Sequence, residues 1–300
     1  MTFHNRKWIE LVLTLKGSVI PGVWQRVVVA MIFSLIVTII YESGLTWIHQ
    51  PILASLIPGV VLGLLLVFRT NTSYEKFWEG RKLIGGIIIS GRSLSRQMWV
   101  NLPEKTPADT EEKKTAILLL AGFLMATKLH LRNEALDQQL QSIISKNQYL
   151  ELKEVNHMPL RIAKWIGDYL RKLYDLNYID SIQLSTYNKI LDTMIEDETS
   201  CERIVNTPIP LAYAIHLKHL LFLYCFSLPF QLVADLYWMT IPAVGVISFA
   251  LLGIEAIGLE IENPFGYDPN DLPLDYLCNR LLWDIEELLK SDSRKEYLPN

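Results

Sequence analysis

The chain has 300 residues, enough for two soluble domains or for one membrane domain with a soluble lobe. Half of its residues are hydrophobic and only 20% are charged, which excludes a disordered chain. The formal net charge of −4 argues against a nucleic-acid-binding protein, because such proteins usually carry a basic domain or stripe. Three widely spaced cysteines form neither a disulfide framework nor a CxxC pair, so we expect three buried thiols: Cys201, Cys225 and Cys278.

Four apolar runs stand out along the chain. Residues 27–41, 43–68 and 236–254 contain no Asp, Glu, Lys or Arg. The run 219–234 also contains none, and its one possible charge is that of His219. A membrane-spanning helix needs about 20 mostly apolar residues. The runs therefore predict four transmembrane helices, paired as two hairpins, at about 24–42, 45–68, 213–234 and 237–255.

Basic residues flank the first hairpin on both sides. The first 20 residues are charged and the apolar run starts late, so no cleavable signal peptide is expected. Lysine and arginine concentrate on the cytoplasmic side of membrane helices. We therefore expect both termini in the cytoplasm.

The segment from about 75 to 205 has a different composition. It is rich in charge, its apolar residues recur at helical spacing, and almost nothing in it resembles a strand. Its most apolar run, 115–127, is bounded by lysines and is too short to span a membrane, so it predicts a buried core helix. The expected fold class is all-α: four transmembrane helices and a helical cytosolic region.

The sequence carries no recognisable catalytic motif, since HExxH, GxSxG, P-loop and GxGxxG patterns are all missing. His216 and His219 are three residues apart, but too few further ligands are near them for a metal, and we assign none. Asp235 and Glu255 bracket the last apolar helix and keep a membrane enzyme or a coupled transporter open as an alternative. A structural scaffold without ion flux is a third alternative.

The second apolar run ends in a stripe of large side chains. Val60, Leu64 and Phe68 follow one another at intervals of four and so share one helix face. Around an axis of several copies, such a face forms a hydrophobic constriction. The spacing alone fits packing against lipid or protein equally well. The polar and aromatic residues that follow, 69–83, are typical of anchoring at a membrane interface.

Three blocks in this order resemble the bestrophin family, most closely its bacterial branch. They are the pattern FRxNxSYxxFxExRxL over 68–83, the stretch CER with TPIP over 201–210, and ENPFG with NDLPL over 262–274. Lys16-Gly17-Ser18-Val19 also fits. The blocks extend over nearly the whole chain.

The resemblance implies a homopentamer around one central ion pathway, as a single domain over 1–300. By position, Val60, Leu64 and Phe68 correspond to the apolar neck, and Ile182 to a cytosolic aperture. The family conducts chloride and other monovalent anions, so we expect a passive anion channel; a monovalent cation channel is the alternative, since some bacterial relatives resemble one. The first block places three further residues near the pore: Arg69, Asn71 and Tyr74. The resemblance to the bacterial branch implies a bacterial plasma (inner) membrane, or a thylakoid if the organism is photosynthetic.

Calcium binding is not expected from the acidic stretch after residue 262. The calcium-binding members of the family have a dense acidic run there, whereas here 267–271 contains a proline and an asparagine. A solvated turn is the simplest interpretation, with a cation site of carbonyls and carboxylates left open. We expect no cofactor; the expected partners are other copies of the chain, membrane lipid and permeant ions.

Overall fold

The computed structural model describes residues 14–15, 17–50 and 56–290. Every regular element within these ranges is a helix, which confirms the all-α prediction there. Within the same ranges, two short 3-10 segments lie at Thr46–Ile48 and Tyr237–Met239. The α-helices are α1 (Ile20–Glu42), α2 (Leu56–Asn101), α3 (Pro107–Leu131), α4 (Gln138–Ile143), α5 (Lys146–Lys153), α6 (Met158–Asp175), α7 (Ser181–Asn206), α8 (Leu211–Leu236), α9 (Thr240–Glu260) and α10 (Leu274–Lys290).

The chain divides into two compact units. Residues 1–78 and 208–271 form one, here called the apolar unit, and residues 79–207 and 272–300 form the other, the amphipathic unit. In the apolar unit α9 packs against α1, and α8 packs against both. Ala30, Leu228 and Val244 are the buried residues at which these three helices meet.

Three helical stretches of the described residues are long and apolar enough to cross a membrane: α1, α3, and α8 with α9. In α1 and α8–α9 only 28% and 33% of the apolar window is buried, whereas in α3 it is 78%. The low fractions leave α1, α8 and α9 with broad apolar faces uncovered by the chain itself. The run 115–127 lies inside α3 and is almost wholly buried, which confirms the prediction of a core helix.

The helix predicted at 45–68 has different ends. Residues 46–48 form a 3-10 turn, residues 51–55 lie outside the described ranges, and α2 begins at Leu56 and continues to Asn101. The helix has no reason to stop at Phe68, because polar residues propagate a helix as well as apolar ones and no proline follows until Pro103. At Phe68 the polarity of the side chains changes, but the backbone remains helical.

The amphipathic unit is built around α3. Ile117, Leu120 and Phe123 are fully buried, and α4, α6, α7 and α10 pack against this helix. A capping box at Thr106 and Asp109 starts α3 and satisfies backbone N–H groups in its first turn.

The three cysteines are free and buried, which confirms the expectation. Burial raises the pKa of the Cys278 thiol to about 12, and burial likewise raises the pKa of Cys201. Both thiols therefore stay protonated at neutral pH and are poor nucleophiles.

Candidate functional site

The first half of α2 has an exposed apolar face. Val60, Leu64 and Phe68 are 51%, 53% and 63% exposed in the chain. Further large side chains that are exposed on the same side are Ile57, Val61 and Val67. At 3.6 residues per turn these six positions cover about a third of the helix circumference. We call this surface the α2 stripe.

The opposite face of α2 is packed inside the apolar unit. Leu62 and Leu66 are 2% exposed and form one buried cluster with Leu217 and Leu221 of α8. The Tyr213 hydroxyl donates a hydrogen bond to the Leu65 carbonyl at 2.6 Å. These contacts fix the rotation of α2 about its axis, so they also determine which side chains form the α2 stripe.

Arg69 comes directly after the α2 stripe in sequence, but its side chain does not belong to this exposed surface. Its side chain is 2% exposed, and its guanidinium lies 3.7 Å from Glu255 of α9 and 3.6 Å from Glu262. Glu255 is 1% exposed and also faces Arg26 of α1 at 3.6 Å. This buried charge cluster joins three helices behind the stripe.

By sequence, Asp235 and Glu255 bracket the last apolar helix. The structure buries Glu255 inside the apolar unit, between two arginines. Asp235, by contrast, is exposed near the end of α8. Sequence reasoning counted Arg26 only among the basic residues beside the first hairpin and placed Arg69 near the pore by its motif. No local pattern links either arginine to Glu255.

The remaining predicted site residues point elsewhere. Asn71 and Tyr74 are exposed on α2, whereas Arg69 of the same motif is buried. Ile182 is 75% exposed in the first turn of α7, which Asp180 caps through the backbone N–H groups of Ile182 and Gln183. Ile182 belongs to the amphipathic unit, whereas the α2 stripe belongs to the apolar unit.

Three of the sequence blocks meet in the loop after α9. Glu262 Oε1 accepts a hydrogen bond from the Ile209 N–H at 3.0 Å. Asn270 donates to Glu260 Oε1 at 2.9 Å and to the Gly17 carbonyl at 3.3 Å. Gly17 has φ of +82°, a conformation that favours glycine. The polar groups of this acidic loop therefore hold chain segments together.

A separate polar cluster in the amphipathic unit was missed by sequence reasoning. His130, His157, Glu198 and Glu202 each place one N or O atom within 4.8 Å of the others. Burial, with a contribution from the charge of Glu202, raises the pKa of Glu198 to about 8. The four residues come from three helices, and only the spacing of Glu198 and Glu202, one turn apart, is visible in the sequence. His216 and His219, the pair considered there, are exposed on α8.

The chain was compared with known families, proteins and structures. A family model described as bacterial/fungal bestrophin protein matches residues 1–287. A voltage-dependent anion channel-forming protein of Nostoc sp. is 50% identical over 288 residues, which cover 96% of this chain and 94% of the relative. YneE of Escherichia coli (strain K12), which bears the same description, is 30% identical over 290 residues, covering 95% and 92%.

Solved structures agree with these matches. The crystal structure of a mutant bacterial bestrophin homologue from Klebsiella pneumoniae superimposes with a TM-score of 0.82 at 28% identity, covering 89% of this chain and 99% of that one. The fold, the sequence blocks and the extent of these matches lead to one conclusion. This chain is an all-helical membrane protein and belongs to the bacterial and fungal bestrophin family.

Proposed function

We propose that the protein is a passive ion channel, formed by five copies of the chain around a central pore that α2 lines. The observation that carries this proposal is the α2 stripe, an apolar surface that a single chain leaves uncovered while it packs the opposite face of the same helix. Assembly around an axis would turn Val60, Leu64 and Phe68 into three successive rings. Such rings control passage through their width and through the ease with which they dewet.

The permeant ion in this proposal is chloride, together with other monovalent anions. The names of the relatives support an anion channel. An apolar ring carries no charge and cannot select strongly by sign, so selectivity would come from charged and polar groups elsewhere along the pathway.

A monovalent cation channel is the second candidate. Glu75 lies seven residues after Phe68, hence two turns along the same face of α2, and it is exposed. Five such carboxylates beside the pathway would attract cations and repel anions.

The reversal potential of the purified full-length protein in a planar bilayer under a KCl gradient decides between the two ions. We expect it to shift towards the chloride equilibrium potential. A shift towards the potassium potential would replace the anion channel by the cation channel and make Glu75 the first residue to neutralise. A well-folded oligomer without current under any voltage would contradict the channel itself.

Ile182 is proposed as the cytosolic aperture, a second place where the pathway narrows. Its exposure on the first turn of α7 supports this, because at 75% exposed it is largely uncovered by the described part of its own chain. Ile182→Ala is expected to change the permeability ratio among anions of different size while leaving the assembly intact. The measurement is the bi-ionic reversal potential, and Leu150→Ala, at a position 52% exposed, is the matched control. Equal ratios in the Ile182 variant and the parent would remove Ile182 from the pathway.

The proposed topology has four membrane-spanning helices, formed by α1, the first part of α2, α8 and α9. The amphipathic unit and both termini would lie in the cytoplasm of a bacterial cell, with the protein in the inner membrane and lipid around α1, α8 and α9. We treat residues 1–300 as one bestrophin-like domain. The many lysines and arginines around the first hairpin support this orientation.

A coupled transporter with a carboxylate relay is less well supported. Glu255 faces Arg69 and Arg26, so its carboxylate is engaged in ion pairs inside the apolar unit. We also propose no calcium site or cofactor at the loop after α9, because residues 267–271 lack the dense acidic run of the family's calcium-binding members.

A further inference from the structure

Four side chains of the amphipathic unit converge on one point. His130 lies at the end of α3, His157 is the N-cap of α6, and Glu198 and Glu202 lie one turn apart on α7. Glu202 Oε1 is 2.6 Å from His130 Nε2 and 3.4 Å from His157 Nε2. Glu198 Oε2 is 3.7 Å from the same His157 nitrogen.

We propose that these four residues form a binding site for one divalent transition-metal ion of the zinc type. Two imidazoles and two carboxylates are a donor set that Zn²⁺ accepts in four-coordinate sites. Imidazole favours such metals over calcium and magnesium, which prefer sites made of oxygen atoms. The site does not depend on ion conduction and lies outside the proposed neck.

The state of Glu198 points independently to a missing partner. Its side chain is 1% exposed, and its Oε1 accepts no hydrogen bond from any residue that the structure describes. A buried carboxyl group with an oxygen that accepts no hydrogen bond is costly, and proteins normally pair such a group with a cation or a hydrogen-bond donor. A metal ion among the four donors would be that partner.

The other three side chains leave a path to the site. His130, His157 and Glu202 are 23%, 34% and 24% exposed, so an ion can enter from solvent while Glu198 closes the inner side. A site of this kind requires both an entry path and ligands of the right number and type.

Binding requires small local movements. Bonds of about 2.1 Å to a tetrahedral metal separate the donors by roughly 3.4 Å, so Glu202 must move away from His130 while Glu198 and His157 approach. Leu160 N–H donates to His157 Nδ1 at 3.2 Å, which places the proton of the neutral ring on Nε2. Metal binding at Nε2 moves that proton to Nδ1 and breaks this long cap hydrogen bond.

The competing explanation is a hydrogen-bonded cluster without metal. The His130 and His157 rings are stacked, with centroids 4.5 Å apart, and both approach Glu202. Such a cluster would join α3, α6 and α7 but would not bind an ion.

Isothermal titration calorimetry distinguishes the metal site from the metal-free cluster. ZnCl2 is titrated into the full-length, tag-free protein after EDTA has removed bound metal. We expect one Zn²⁺ per chain, no competition from a large excess of Ca²⁺ or Mg²⁺, and a rise in melting temperature that EDTA reverses. Glu198→Gln and His130→Asn should each lower the affinity at least about tenfold, since even supporting residues around a metal contribute that much. His219→Asn, which changes an exposed histidine outside the cluster, should bind like the parent.

Two results would overturn the site: no saturable binding at one ion per chain, or unchanged affinity in both variants. Should Glu198→Gln fail to give a monodisperse protein, His130→Asn decides, since His130 is partly exposed. Co²⁺ provides a second readout on the parent, because a tetrahedral N2O2 site gives visible absorption bands. Bands like those of Co²⁺ in buffer would also exclude the site.

Discussion

Replacing Arg69 with alanine is expected to destabilise the protein by about 3 kcal/mol, because the change leaves Glu255 buried with a much weaker partner. Glu255 would keep only Arg26, whose side chain is 57% exposed and therefore screened by solvent. We expect the apparent melting temperature in detergent to fall by roughly 5–10 °C. Fluorescence-detected size-exclusion chromatography after heating measures it.

Two further variants test the cause. Arg26→Ala removes the exposed partner of the same carboxylate and should change stability much less. Combining Arg69→Met with Glu255→Leu removes the buried charge on both sides and should recover most of the loss, since apolar replacement of a buried pair is often neutral. If the double variant is as unstable as Arg69→Ala alone, the pairing with Glu255 is not what Arg69 contributes.

Replacing Val60, Leu64 and Phe68 together with alanine is expected to raise single-channel conductance several-fold. The three proposed rings lose most of their side-chain volume, which widens the constriction and lowers the free-energy cost of wetting it. Stability should change little, because none of the three side chains is buried in the core of its own chain. Recordings in planar bilayers, with parent and variant at equal salt, give the conductance.

The matched control changes apolar residues of equal exposure on another helix. Ile32, Ile36 and Ile39 of α1 are 52%, 49% and 50% exposed, and their triple alanine variant should conduct like the parent. An α2 variant that conducts no better than the α1 variant would show that the stripe is not the constriction.

Much of the fold follows from local properties of the chain. Long uncharged runs predict α1, α8 and α9, because whether a segment is stable in lipid depends on how apolar its residues are. The position of 115–127 inside α3 also follows from length, since that run is too short to span a bilayer and too apolar to remain in water. The predicted second transmembrane helix ends at residue 68, whereas the backbone helix α2 continues to Asn101, because polarity says little about where a backbone helix stops.

The sites divide in the same way. Spacing alone places Val60, Leu64 and Phe68 on one face of α2, but a periodic pattern is the same for a face that packs and a face that stays exposed. The contacts of Leu62 and Leu66 with α8 decide that the other face is the packed one. Sequence proximity misleads for Arg69. It lies beside Asn71 and Tyr74 in the motif, but it is buried whereas they are exposed.

The sequence by itself therefore determined the membrane character of the chain, its helical class and its family, because these depend on composition, periodicity and ordered blocks of residues. Only the tertiary structure decided the partners of buried charges. Glu255 meets Arg69 and Arg26, and Glu198 meets His157, across separations of 41 to 229 residues in the chain. Such pairs arise from helix packing, and no local spacing in the sequence records them.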